Sequence, residues 1–123
     1  MKSHIHQEGD VIFVAYDGPL SYKARAATLD VVLPILREQG LRRVLLDFTG
    51  AYPSREHVEA ADVFAEKMAT VRSLKGGAIA FLNAPPGQSA PVELIAALGE
   101  YQVQRFYNRR EAMAWLQAAV EPA

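Results

Sequence analysis

Apolar runs of strand length alternate along this chain with segments whose apolar residues recur three and four positions apart, and turn formers separate them. Residues 4–7 predict a short first strand, Glu8-Gly9-Asp10 a turn, and residues 11–16 (VIFVAY) a second strand covered on both faces. These two form an antiparallel hairpin. Asp17-Gly18-Pro19 ends the second strand, and Ser21 caps a helix that runs to about Gln39 with Ala24, Ala27 or Thr28, Val31 and Ile35 on its core face. Pro34 removes one backbone donor inside that helix and predicts a kink or a loosened last turn, and Gly40 terminates it.

Residues 44–48 (VLLDF) predict a central strand with Thr49-Gly50-Ala51-Tyr52-Pro53 as its exit loop. A long helix then begins at Ser54 and extends to about Ser73, with Val58, Ala61, Phe64, Met68 and Val71 toward the sheet. Lys75-Gly76-Gly77 resets the backbone before a strand over residues 78–82, which leaves through the rigid loop 83–87. A short helix over residues 91–98 precedes a last strand at 103–106. Asn108 and Glu111 then make a capping box for a final helix that buries Ala112, Trp115, Leu116 and Ala119. The order β-β-α-β-α-β-α-β-α predicts a single α/β domain over residues 1–123. Right-handed crossovers make its sheet mostly parallel, with an antiparallel N-terminal hairpin strand and helices on its faces.

A chain of 123 residues is the size of one domain, and half of them are apolar, so it buries a real core. The net charge of -1 supplies no positive field to gather nucleic acid or anionic lipid. There is no cysteine, which removes disulfides, thiolate nucleophiles and cysteine-held metals. The N-terminus leads into polar residues, which predicts neither a signal peptide nor a membrane span, and a cytoplasmic location.

Three stretches together resemble the SpoIIAA-like (STAS) domains, including the bacterial STAS/SEC14-like proteins. They are Gly18-Pro19-Leu20-Ser21, the strand and loop Val44-Leu45-Leu46-Asp47-Phe48-Thr49-Gly50 leading to Ser54, and Val103-x-x-Phe106 followed by Glu111-Ala112-x-x-Trp115-Leu116. The resemblance implies a SpoIIAA-like fold and a non-enzymatic regulatory module that binds protein partners. In anti-sigma-factor antagonists of that family, a serine at the start of the helix after this strand is phosphorylated. The resemblance implies Ser54 as the corresponding phosphoacceptor, although the family's preceding aspartate and following Ser-Gly are absent from Tyr52-Pro53-Ser54-Arg55-Glu56. A phosphate there would meet free N–H groups and the helix dipole, with Arg55 beside it; Ser54 also serves simply as a helix cap. The expected recognition surface comprises Thr49, Tyr52, Ser54, Arg55 and Glu56.

Asp17, Asp47 and Asn83 end presumed central strands, the edge where receiver domains hold magnesium, but the chain offers neither a paired acidic doublet nor a lysine after the last strand. His4 and His6 share a strand face and, with His57, have the spacing of metal ligands that a terminal pair acquires by chance. No Gly-x-Ser-x-Gly elbow is present, and Gly76-Gly77 precedes a strand instead of linking strand to helix. No catalytic residue, metal or cofactor is therefore expected, and no nucleic-acid partner. The alternative reading is a small carrier or sensor of lipid or another apolar ligand, with Leu94 and Leu98 on a movable cover. A homodimer through an edge strand or an exposed helix is a further option.

Overall fold

A two-residue loop with Gly9 in the left-handed region (φ 57°) joins β1 (Lys2–Glu8) to β2 (Val11–Leu20), and the two strands pair antiparallel from Lys2↔Asp17 to Glu8↔Val11. The computed structural model describes residues 2–54, 63, 64, 66–68, 74–85, 96 and 100–120. Within them, β3 (Arg43–Pro53), β4 (Ala78–Leu82) and β5 (Gln102–Phe106) add in parallel to give one five-stranded mixed sheet of order β1-β2-β3-β4-β5. A sheet laid down in sequence order by right-handed crossovers puts its connecting helices on one face. The helix α1 (Tyr22–Gln39) shares a buried cluster with Ile12, Val14, Val44, Leu46, Ile79 and Phe81, and the helical residues Phe64, Met68 and Ala96 join that same cluster. The last helix, α2 (Arg109–Ala119), covers the opposite face through Ala112 and Leu116 against Val11, Phe13, Leu45, Ala80 and Leu82. Among the described residues no helix is long and apolar enough to cross a membrane.

Both ends of α1 and the start of α2 follow the sequence. Ser21 Oγ accepts from the Ala24 N–H at 3.1 Å, and Asn108 Oδ1 from the Glu111 N–H at 3.2 Å. Gly40, at φ 65°, closes α1 by donating its N–H to the Leu36 carbonyl. α1 runs unbroken through Pro34.

The face of α1 differs from expectation. Its buried residues are Arg25, Thr28, Val32 and Leu36; of the expected core positions only Thr28, the alternative to Ala27, is among them, whereas Ala27 and Val31 are exposed and Ala24 and Ile35 half-buried. Residues 29–36 are apolar almost all round, so spacing alone leaves the direction open by one position, or 100° of rotation. The choice falls on the stripe that gives Arg25 its aromatic surroundings.

The strand ends differ as well. β2 does not stop at Asp17-Gly18-Pro19, and residues 49–53 are not a loop: Asp17↔Gly50, Gly18↔Ala51, Pro19↔Tyr52 and Leu20↔Pro53 continue the parallel ladder. Trp115 and Ala119 are half-buried, Trp115 lying at 48° to the Phe106 ring. The predicted core positions Val58, Ala61 and Val71 lie outside the described residues.

Candidate functional site

β4 ends at Leu82, opposite Asp47, while β2 and β3 carry on together past it as a two-stranded ribbon. A register shift between Ala15 and Asp17 marks where the ribbon departs from the sheet. One glycine permits its geometry. Gly18 has φ 95°, a conformation that side chains rarely adopt, whereas a Cβ on Gly50 would meet only the movable end of the Asp17 side chain. At the far end Ser54 Oγ donates to the Leu20 carbonyl, fastening the chain after β3 to the end of β2. Tyr52 is 57% exposed on this ribbon, and Thr49 is exposed at its base.

Three polar groups at the strand ends satisfy one another. Asp47 Oδ1 accepts from the Thr49 N–H at 2.9 Å and from Thr49 Oγ1 at 2.5 Å, and Asn83 Nδ2 donates to Thr49 Oγ1 at 2.9 Å. Asn83 holds a left-handed backbone (φ 54°) and donates its own N–H to the Phe106 carbonyl. The arrangement locks the base of the ribbon to the end of β4. Among the described residues no three His, Asp or Glu side chains converge as a metal would need. His6 instead stacks on Phe13 at 5.0 Å and meets Glu8 at 3.1 Å, and His57 lies outside the described residues.

Beneath the ribbon lies a residue that hydropathy reads as solvated. Arg25 is 1% exposed, with its guanidinium carbon 4.7 Å from the ring centre of Phe64, 5.3 Å from Phe48 and 5.4 Å from Tyr22. Each ring face attracts the cation, more strongly for being out of water. Burial pushes the Tyr16 hydroxyl above its ordinary pKa, with the Arg25 charge and hydrogen bond opposing that shift. Phe48 and Tyr16 immediately precede Thr49 and Asp17, so this enclosure supports the root of both ribbon strands. The one sequence signal was the spacing of Arg25 with Thr28 and Val32 on a helical face.

Two cavities bear on the carrier reading. The one between α1 and the sheet, lined by residues such as Val32, Leu36, Phe64 and Met68, measures about 20 Å³, the room of a single water and far short of an acyl chain. The other measures about 90 Å³ on the α2 side, among His6, Phe13, Ala15, Asp47, Leu82 and Arg109. Leu94 and Leu98, named as the cover, lie outside the described residues, as do Arg55 and Glu56 of the recognition surface. The structure therefore brings Thr49, Tyr52 and Ser54 onto one ribbon. No family model matches this chain, and a search of curated proteins finds no match either.

Proposed function

We propose that this protein is a non-enzymatic regulatory interaction module of SpoIIAA-like type, acting in the cytoplasm and binding a protein partner through the ribbon and residues 49–56. The observation that carries this reading is the ribbon itself: a braced two-stranded extension of the sheet that packs Leu20 and Ala51 against the core and leaves Tyr52 exposed. Tyrosine offers large apolar area and a hydroxyl while losing little side-chain entropy, which is why it concentrates at binding hot spots. At the base of the ribbon Asp47, Thr49 and Asn83 bond one another, which braces it.

Regulation enters through Ser54. Its hydroxyl donates to the Leu20 carbonyl, and a phosphate there would lose that proton donor and set negative charge against the carbonyl oxygen. Phosphorylation would thus loosen the ribbon's far end and alter the surface presented to the partner. The same contact makes Ser54→Ala cost about 1 kcal/mol of stability, measurable by urea denaturation.

The reading is tested by affinity capture from the protein's source cells with quantitative mass spectrometry. Tyr52→Ala should reduce recovery of the specific partner roughly tenfold or more, as truncating one hot-spot residue does. Tyr107→Ala, removing a still more exposed tyrosine elsewhere, should leave recovery unchanged. Equal recovery with Tyr52→Ala overturns the assignment of this surface.

A further inference from the structure

Among the described residues β1 is an edge strand with its outer side open, and its seven residues pair with β2 without a register shift. It has no proline, no bulge and no inward-pointing charge, and its two charged residues, Lys2 and Glu8, stand at its ends. Its two faces are chemically distinct. His6 stacks on Phe13 on the α2 side, whereas Ile5 packs against the α1-side cluster, so alternation places Lys2, His4 and Glu8 with His6, and Ser3 and Gln7 with Ile5.

The order Lys2-Ser3-His4-Ile5-His6-Gln7-Glu8 is complementary to itself when reversed about Ile5. We propose that β1 pairs antiparallel with β1 of a second copy about a two-fold axis through Ile5, joining the two sheets into one of ten strands. In that register Lys2 stands opposite Glu8 of the partner subunit on the same face, twice over. Ser3 stands opposite Gln7 of the partner subunit, and His4 opposite His6 of the partner subunit. Sliding the register by two sets His4 against Glu8 in one direction and His6 against Lys2 in the other, and either slip forfeits both Lys2–Glu8 pairs, so the charge pattern selects one alignment. Glu8 is well suited to its part: the hydrogen bond from His6, and after it that from Arg109, hold its carboxyl below the usual range.

The α1 side of the seam fits the same partner. A shallow groove of about 300 Å³ runs along this edge between Ser3, Ile5, Ala24, Ala27 and Val31, and Val31 is 54% exposed. Strand spacing puts the two β2 strands about 14 Å apart across the seam. The two α1 helices, each lying over its own β2, are thus held wider than the 8–10 Å typical of packed helices. Ile5 and Val31 of both copies fill that gap, which gives the small and apolar residues of this face a common purpose.

The test is sedimentation of the full chain over a concentration series. The wild type is expected to show a monomer–dimer equilibrium. Lys2→Glu and Glu8→Lys should each raise the dimer dissociation constant roughly tenfold or more, because each reversal sets like charges across both pairs. An equimolar mixture of the two single variants should restore dimers, since opposite charges then face each other at both ends. The double variant should dimerise with itself for the same reason. Glu8→Lys also gives up contacts to His6 and Arg109, so Lys2→Glu, at an exposed position, serves as the variant whose fold is not at issue. A chain that stays monomeric at millimolar concentration, a dimer indifferent to the reversals, or a mixture that fails to restore association overturns the proposal.

Discussion

Arg43→Met is expected to destabilise the fold by about 3 kcal/mol, as a clear fall in the urea midpoint. Arg43 starts β3, yet its guanidinium reaches under the end of α2, where Nε donates to the Leu116 carbonyl at 2.9 Å and Nη2 to the Val120 carbonyl at 2.6 Å. Leu116 lies in the last turn of α2 and Val120 is the cap residue just beyond it, where intrahelical donors run out. Nη1 bonds Asp10 at 2.6 Å, and Asp10 in turn accepts from Gln117. One side chain, 9% exposed, therefore ties the hairpin loop, the central strand and the last helix together. Methionine fills much of the space but supplies no donors, leaving buried carbonyls unsatisfied. A loss below about 1 kcal/mol would mean that α2 docks on its apolar face alone.

Gly77→Ala is expected to cost a similar amount, about 3 kcal/mol, for a steric reason. A Cβ at this position would sit 2.3 Å from the Arg42 carbonyl oxygen and 2.9 Å from that of Leu74, and both obstacles are backbone. The segment cannot retreat. Gly77 N–H donates to Leu74 at 2.7 Å, its carbonyl accepts from Gln102 at 3.0 Å, and the next residue, Ala78, donates to Arg42 at 2.9 Å. Gly40→Ala is the instructive comparison: nothing lies within 4 Å of its added Cβ, so only the left-handed backbone resists, for about 1 kcal/mol. Thermal denaturation of the two variants side by side should rank Gly77→Ala well below Gly40→Ala.

Much of the fold was legible because local chemistry decided it. The hairpin turn, the unbroken apolar run of β4, Gly40 as terminator and the Asn108–Glu111 cap each need only a few adjacent residues. The ribbon was not legible, because Asp17-Gly18-Pro19 and Thr49-Gly50 are the residues of turns and only their mutual pairing makes them strand. Arg25 and Arg43 were missed for a related reason: hydropathy scores arginine as wet. Their partners, aromatic rings from β3 and beyond in one case and carbonyls more than 70 positions away in the other, exist only after folding. Of the candidate surface, Thr49, Tyr52 and Ser54 were named from the sequence, but as parts of a loop and a cap. Their common footing on a braced ribbon comes from the pairing of β2 with β3.

Recognition through the ribbon is tested most directly by a photocrosslinking amino acid placed at position 52, with position 107 as the control, in the source cells. A discrete protein adduct at position 52, with none at 107, is the predicted result. Adducts of the same pattern at both positions, or at 107 alone, would contradict recognition through the ribbon.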